Sequence, residues 1–430
     1  MENQALLEKI AWRLLPFLFL MFAISFLDRI NIGFAALSMN KDLRLTATAF
    51  GFVTTVFYVG YVLCEIPSNL LMARFGARVW LSRIMITWGL AASATMFVVD
   101  TASLAGARFL VGVFEAGFVP GVLLYLTYWF PDSHRARANG LLMLAQPFAS
   151  AIGATVSGVI LDRTDGLLGL AGWRWMYLLE GLPAVIVGII AYFYLTDRPD
   201  KSRWLSNDEA RSLELILEAD RNKVARATVR PSIWSQITET KVVLLALSYF
   251  ALVTTLNATS TWGPTIVRGV LHAYSLTQVG FVSALPPVCT IIAIPLWVWS
   301  SDRHKERIWH LSAALMLAAA GWLLVIFTTN AVGQMLGLCC ATSGAFCAMA
   351  VFWTLPQKIL STEARPAGIG LINATGLFGS AVSAPVIGVL KDLTDSFAAG
   401  LFYATALLVI SMSLAWVVTR MASPEPSAAG

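Results

Sequence analysis

Charged side chains are scarce in this sequence. Asp, Glu, Lys and Arg make up 13% of the 430 residues, whereas a soluble domain usually carries about 25%. Hydrophobic residues account for 57% of the chain. This balance argues against a water-soluble fold and indicates a protein of the lipid bilayer.

Sequence motifs of catalysis and metal binding are also missing. The chain has no HExxH metal motif, no GxSxG nucleophile elbow and no P-loop, and it contains only four histidines. The five cysteines all fall inside apolar runs, so they do not indicate a disulfide framework. We therefore expect neither an enzyme nor a cofactor or metal site, which disfavours a polytopic membrane enzyme or receptor.

Long apolar runs dominate what is present. Each is about 20 residues long, as needed to cross a hydrocarbon core of roughly 30 Å. Only helices and closed barrels satisfy their backbone in lipid, and barrel strands are about half this length. The sequence therefore predicts an all-α polytopic membrane protein with twelve transmembrane helices. They cover residues 12–38, 48–72, 79–98, 103–129, 139–161, 173–195, 241–263, 277–299, 308–328, 332–356, 366–390 and 397–419.

The distribution of basic residues between the loops predicts the orientation. If the N-terminus is cytoplasmic, 22 Lys and Arg lie on the cytoplasmic side and 6 on the other. We therefore expect both termini in the cytoplasm and a bacterial inner membrane location. The net charge of +5 reflects this loop bias and does not indicate a nucleic-acid partner.

A charged segment divides the chain into two halves. We predict an N-terminal six-helix bundle at 1–195, a cytoplasmic linker at 196–240 and a C-terminal six-helix bundle at 241–430. Residues 136–162 resemble residues 364–392, allowing a two-residue insertion, so the fifth and eleventh spans are repeat equivalents. Within the linker, Ser206 and Glu209 have the spacing of a capping box. Parallel six-helix repeats point to a transporter whose site lies between the halves.

Few ionisable side chains lie within the predicted spans. Those that lie away from the span ends are Asp28, Arg29, Glu65, Arg108, Glu115 and Glu180. Each such group costs about 2.5 to 3.5 kcal/mol on insertion scales, so each is a functional candidate. We expect a structural role for Glu65. For Glu180 a structural role and a functional role both stay open.

Asp28 and Glu115 are the predicted proton-coupling residues. Both lie deep in their spans, where a carboxyl group can exchange a proton near neutral pH. Asp28 shares a helix face with Asn31, whereas Arg29 projects about 100° away. The alternative is that Asp28 with Arg29, and Arg108 with Glu115, are structural pairs that only neutralise each other.

The predicted substrate-binding residues centre on Arg29. Its guanidinium is always charged, and its planar fork matches a carboxylate. The other candidates are Asn31, Tyr61, Arg108, Gln146, Trp353 and Asn373. The polar residues among them can instead join helices, and Trp353 can instead be a packing residue.

Two short basic loops resemble the cytoplasmic gating motif of the major facilitator superfamily. In the first, "NLLMARFGAR", Arg74 fits, but Ala73 replaces the expected aspartate. The second, "VWSSDRHKER", retains Asp302, Arg303 and Arg307. The predicted gating charge pair is therefore better matched in the second half.

Several longer stretches resemble the anion:cation symporter family of this superfamily. They are "SFLDRINIGFAALSM", "YVLCEIPSNLL", "VGVFEAGFVPGVLLYLTYWFP", "FWTLP" and "GLINATG". Within the family the chain is most similar to the 4-hydroxyphenylacetate permeases and the tartrate and phthalate transporters. The resemblance implies two six-helix bundles, proton handling by the acids at 28 and 115, and a substrate carboxylate at Arg29. Apolar residues at 350–353 disfavour a sugar-acid substrate.

The sequence therefore predicts a proton-coupled symporter that imports a small organic carboxylate by alternating access. An aromatic acid such as 4-hydroxyphenylacetate and a tartrate-like dicarboxylate are the favoured substrates. An uncoupled facilitator or exporter of organic anions and a sugar-acid symporter are the alternatives. We expect a monomer whose partners are the anion, protons and lipid.

Overall fold

The chain is helical throughout the part that the structure describes. The computed structural model describes residues 2–225, 237–271, 273–360 and 365–422, and these contain no strand. The helices are α1 (Glu2–Asp42), α2 (Ala47–Phe75), α3 (Ala77–Ala94), α4 (Thr101–Glu115), α5 (Phe118–Thr127), α6 (Asp132–Met143), α7 (Ala145–Arg163), α8 (Gly172–Tyr194), α9 (Asn207–Ala225), α10 (Thr240–Val270), α11 (Leu276–Ser283), α12 (Leu285–His304), α13 (Ile308–Phe327), α14 (Ala331–Phe352), α15 (Thr354–Ile359), α16 (Arg365–Thr394) and α17 (Ala398–Ala422).

The predicted transmembrane spans coincide with these helices. Within the described residues, 11 helical segments are long and apolar enough to cross a membrane. The remaining predicted span, 79–98, corresponds to α3, which carries Arg78 and Arg83 near one end and is less apolar. Four spans consist of two helices each: α4 with α5, α6 with α7, α11 with α12, and α14 with α15. The prediction of an all-α membrane fold is confirmed.

The break between α4 and α5 lies directly after Glu115. Ala116 has an extended ψ of 133°, and Gly117 adopts the left-handed region with φ 85°. A side chain at Gly117 would also collide with the Ser68 hydroxyl on α2. Glycine is needed there for both reasons, and the break fixes Glu115 at the last position of α4.

The predicted capping box begins the linker helix α9. The Glu209 N–H donates to the Ser206 hydroxyl at 3.2 Å, and the Ser206 N–H donates to the Glu209 carboxylate at 2.9 Å. Lys9 of α1 then pairs with the same carboxylate at 2.7 Å. The prediction is confirmed, and the linker helix is held on α1. Residues 226–236 of the predicted linker lie outside the described residues.

Close contacts group the chain into two compact units. The first comprises residues 1–31, 56–153 and 163–228, and in it α3 packs on α8, α4 and α5. The second comprises residues 32–55, 154–162 and 229–430, and in it α10 packs on α16 and α17 while α14 packs on α12 and α13. The sequence-based boundaries at 195 and 241 stay a prediction.

Candidate functional site

A buried ion pair joins α1 to α4 in the first unit. Arg29 donates from Nε to Oε1 of Glu115 at 2.8 Å, and Ser25 donates from its hydroxyl to the same oxygen at 2.8 Å. Ser25 and Arg29 are one helical turn apart, so they share the face of α1 that meets α4. Glu115 is fully buried, whereas the Arg29 side chain is 18% exposed. The exposed part of the pair is therefore the cation.

Each partner of this pair retains an unused polar atom. Within the described residues, Nη2 of Arg29 and Oε2 of Glu115 are buried without a hydrogen-bond partner. Buried polar atoms are usually satisfied, so two unsatisfied atoms on one ion pair are unusual. The guanidinium can donate a further hydrogen bond to an anion, and the carboxylate oxygen can accept a proton.

Aromatic rings surround the Arg29 guanidinium. Its central carbon lies 5.0 Å from the ring centre of Tyr61, 5.8 Å from that of Phe57 and 5.9 Å from that of Phe26. These distances are within the range of cation–π attraction. The rings stabilise the cation without supplying a negative charge of their own.

Asp28 lies next to Arg29 in the sequence but contacts a different helix. The indole Nε1 of Trp88 on α3 donates to its Oδ2 at 2.5 Å, and Nδ2 of Asn31 lies 3.4 Å from its Oδ1. Asp28 is 2% exposed and Trp88 is fully buried. Successive helix residues project about 100° apart, which explains why Asp28 faces α3 while Arg29 faces α4.

Arg108 extends the polar cluster along α4. It is 3% exposed, and its guanidinium lies 5.0 Å from the ring centre of Phe57. It interacts electrostatically with Asp28 and with Tyr177 of α8. Its Nε has no hydrogen-bond partner within the described residues. Phe57 thus lies close to the guanidinium groups of both Arg29 and Arg108.

The two alternative structural pairs are wrong in their partners. Arg29 pairs with Glu115 and not with its neighbour Asp28, which accepts from Trp88 instead. Glu115 takes its hydrogen bonds from α1 and not from Arg108. Both alternative pairs were suggested by proximity along one helix. Packing between helices instead brings residues of different helices into contact.

The remaining predicted ligand residues are distributed between the two units. Gln146 is partly buried at the start of α7 in the first unit. Trp353, at the break between α14 and α15, contacts Tyr249 with ring centres 4.9 Å apart, and Phe352 lies 5.0 Å from the same tyrosine ring. Asn373 is exposed on α16. The second unit thus supplies an aromatic cluster and a separate amide.

The predicted gating residues lie at helix ends. Asp302 pairs with Arg307 at 2.5 Å, and Arg307 also donates to the Ser301 hydroxyl at 2.8 Å. Arg303 lies over the ring of Trp299 at 5.3 Å. The ion pair therefore tightens the turn between α12 and α13. Arg74 is exposed at the end of α2 and lies over the ring of Phe75 at 5.7 Å.

Asp197 supplies a carboxylate at the loop that lacks the motif aspartate. The Arg78 N–H donates to its Oδ1 at 2.9 Å, and a side chain at Gly76 would collide with the same carboxylate. Gly76 has φ 89°, so it is a glycine for its backbone as well. The acid comes from the segment after α8, 119 positions along the chain, and the motif pattern did not reveal it.

Sequence reasoning also missed Ser25, Trp88 and Phe57. Ser25 had a detectable signal, since it precedes Arg29 by one helical turn and presents a hydroxyl to the same face. Trp88 and Phe57 are apolar residues within apolar spans. Their roles depend on which helix faces them, and periodicity gives no information about that.

The comparisons with known proteins decide the family. A model of the Major Facilitator Superfamily matches residues 18–384, with a second match at residues 274–428. The chain belongs to the major facilitator superfamily. It is therefore a multi-pass membrane transporter and not an enzyme, as the sequence predicted.

Several relatives resemble the chain over nearly its whole length. It is 42% identical to a protein of Agrobacterium vitis named "Putative tartrate transporter", over 97% of this chain and 95% of the relative. It is 36% identical to the "Putative metabolite transport protein NicT" of Pseudomonas putida, over 96% and 94%. It is 35% identical to the "Quinolone resistance transporter" of Acinetobacter baumannii, also over 96% and 94%.

Solved transporter structures share the fold at low sequence identity. A bacterial homologue of the human lysosomal transporter Spinster, in an inward-facing and occupied conformation, has a TM-score of 0.72 at 16% identity, covering 94% of this chain and 96% of that chain. A D-xylose-proton symporter has a TM-score of 0.74 at 14% identity, covering 94% and 97%. These similarities show the fold alone.

Proposed function

We propose that the chain is a proton-coupled symporter that imports a small organic carboxylate by alternating access. The single observation that carries this proposal is the buried pair of Arg29 and Glu115. The guanidinium is partly exposed and keeps one donor atom unused, while the carboxylate keeps one acceptor atom unused. One pair thus offers both an anion site and a proton site.

The pair suggests how the two ligands are coupled. A proton on Glu115 removes the negative charge that holds Arg29, and the freed guanidinium binds the substrate carboxylate in a bidentate manner. When the proton leaves, Glu115 competes again for Arg29, and the substrate is released. Asp28 acts as the second proton site, and Arg108 supplies positive charge beside it.

Aromatic residues and the relatives together support the substrate class. Tyr61 lies at the Arg29 guanidinium, and Trp353 lies with Tyr249 and Phe352 in the second unit. Rings of this kind suit an aromatic acid. The Agrobacterium vitis relative, named for tartrate, supports a dicarboxylate instead. We propose that Asn31 and Gln146 of the first unit provide neutral polar contacts to either acid, and the role of Asn373 stays a prediction.

The basic loops support the proposed membrane and orientation. The ratio of 22 to 6 basic residues supports the proposal that both termini lie in the cytoplasm and that the protein resides in a bacterial inner membrane. An inward-negative potential then favours any net positive transfer by about 2.3 kcal/mol per charge per 100 mV. We propose that one monomer carries out transport.

Proteoliposomes with an imposed pH gradient test the coupling. Wild-type protein should concentrate the labelled acid when the lumen is more alkaline than the medium. Glu115→Gln should lose this accumulation and keep exchange across vesicles without a gradient, since glutamine cannot release a proton. Glu214→Gln, an exposed change on α9, is the control and should behave as wild type. Accumulation by Glu115→Gln at the wild-type level contradicts the assignment.

A thermal-shift screen of the purified protein tests the anion site. Tartrate, aromatic acids and sugar acids are each added to wild type, to Arg29→Ala and to the exposed control Arg163→Ala. A ligand at 100 times its Kd adds about 2.7 kcal/mol to the free energy of unfolding. Arg29→Ala should lose this gain with every acid, whereas the control keeps it. An unchanged gain in Arg29→Ala rules out the guanidinium as the anion site.

The Acinetobacter baumannii relative is named for quinolone resistance, and this name favours an exporter as the second candidate function. An exporter that exchanges protons expels the compound when the proton gradient is directed inward. The same vesicles distinguish the two functions, because a symporter accumulates substrate under a gradient that makes an antiporter deplete it.

A further inference from the structure

Two aspartates at the ends of repeat-related helices bind the starts of two other repeat-related helices. Asp392, near the end of α16, accepts from the N–H of Ala47 at 3.2 Å and of Thr48 at 2.7 Å, at the start of α2. Asp162, near the end of α7, accepts from the Thr277 hydroxyl at 2.7 Å and from its N–H at 3.4 Å, at the start of α11. Each contact joins a residue of the first half of the chain to one of the second half.

Glycines allow close helix crossings beside both aspartates. Gly388 lies one turn before Asp392, and a side chain there would collide with the Ala47 carbonyl of α2. In return, a Cβ at Gly51 would lie 2.6 Å from the Ala384 carbonyl of α16. Thus α2 and α16 approach each other with backbone against backbone next to the carboxylate.

The second crossing has the same construction. Gly158 lies one turn before Asp162, and a Cβ there would lie 2.7 Å from the Leu276 carbonyl and 2.8 Å from Cα of Gly280. A Cβ at Gly280 would lie 2.5 Å from the Ala154 carbonyl. The α7–α11 crossing therefore repeats the α16–α2 crossing with glycine, alanine and aspartate in the same order.

The sequence repeat accounts for the correspondence position by position. Residues 154–162, "ATVSGVILD", align with 384–392, "APVIGVLKD", which pairs the two alanines, the two glycines and the two aspartates. On the partner side, residues 48–53, "TAFGFV", align with 277–282, "TQVGFV". Both members of each contact are thus duplicated, so the two contacts are related by the internal repeat.

We propose that Asp162 and Asp392 are twin latches that hold one membrane face of the transporter closed. This face is the one with the turns at 43–46, 164–171, 273–275 and 395–397. Each carboxylate satisfies groups at a helix start that otherwise lack a partner, and the positive end of the helix dipole attracts its charge. Opening of this face requires both latches to separate. The inference rests on the proposed alternating access.

Distance measurements between spin labels test the latches without substrate or a pH gradient. Cysteines at the exposed positions Lys41 and Leu393 carry the labels in the purified transporter. Asp392→Asn keeps the shape of the side chain but loses its charge and one of its two acceptor oxygens. It should raise the ratio of long to short distances about two- to fivefold, the range expected for one charge at a helix end.

The second latch and the controls complete the test. Asp162→Asn and Thr277→Val, which remove either side of the second contact, should each shift the distances in the same direction, and Asp162→Asn with Asp392→Asn should multiply the effects. Asp395→Asn is the matched control, because this exposed aspartate follows Asp392 by one turn and pairs only with Lys391 among the described residues. It should leave the distances unchanged.

Two results would overturn the latches. One is a distance distribution in the double variant identical to that of wild type. The other is an equal shift in Asp395→Asn, which would indicate a general effect of surface charge. Transport by the same double variant separates this inference from the proposed function: proton-driven accumulation with unchanged distances removes the latches and retains the symporter.

Discussion

The hydrogen bond between Trp88 and Asp28 gives a sharp test of the site geometry. Trp88 donates to Oδ2 at 2.5 Å, whereas the contact from Asn31 to the other oxygen is 3.4 Å long, beyond the usual range of 2.7 to 3.2 Å. Trp88 is therefore the principal partner of Asp28. Trp88→Phe retains an aromatic ring and removes only the donor and part of the ring volume.

The expected cost has two parts that a control can separate. Leaving a buried carboxyl oxygen unpaired costs about 1 to 3 kcal/mol, and the smaller ring adds a packing cost. Trp322 is equally buried, and its Nε1 has no hydrogen-bond partner within the described residues. Trp322→Phe therefore reduces the ring volume without breaking a hydrogen bond, and Trp88→Phe should be less stable than it by about 1 to 3 kcal/mol.

Unfolding in detergent, followed by intrinsic fluorescence, measures both variants. A double-mutant cycle with Asp28→Asn then isolates the pair, and we expect an interaction energy within the range of about 0.5 to 3 kcal/mol found for residues in contact. The reasoning is refuted if Trp88→Phe costs no more than Trp322→Phe, or if the effects of Trp88→Phe and Asp28→Asn simply add.

Two further predictions concern helix packing and the linker. Gly112→Ala places a methyl group against a carbonyl of α2, so it should destabilise the protein by about 1 to 3 kcal/mol in thermal unfolding. The control is Gly106→Ala on the same helix, where a methyl group meets nothing within 4 Å. This change should be neutral or slightly stabilising. Equal effects would refute the close crossing. The hydrogen bond from Lys9 lowers the pKa of Glu209, so Glu209→Gln should lower the Tm at neutral pH, with the difference fading as the pH falls through the lowered pKa. Glu218→Gln, exposed on the same helix, should show no such pH dependence, and a pH-independent loss in Glu209→Gln would contradict the ion pair.

The coupling scheme depends on an ion pair that is costly to break. Removing one partner of a buried pair usually costs about 3 to 5 kcal/mol, because the other charge is left uncompensated. In the proposed scheme, a substrate carboxylate compensates Arg29 at the moment when a proton neutralises Glu115. The proposed exchange of partners therefore avoids an unpaired charge at each step, which explains why the two ligands would move together.

The sequence by itself determined the class of fold and the identity of the polar residues. Apolar runs of membrane length fixed the helices, since the backbone in lipid has no other partners than its own. The rarity of charge in these runs singled out Asp28, Arg29, Arg108 and Glu115, because each is costly there without a function. Helical periodicity also separated the directions of Asp28 and Arg29.

Only the tertiary structure decided the partners of these residues. Periodicity states which side chains share a face, but it does not state which helix lies opposite. Arg29 pairs with Glu115 of α4, and Asp28 accepts a hydrogen bond from Trp88 of α3. Proximity along one helix had suggested other pairs. For the same reason, the sequence pattern did not reveal that the Asp197 carboxylate, from the segment after α8, binds the Arg78 N–H at the start of α3. Contacts between distant segments depend on how the helices pack, and no local pattern records that.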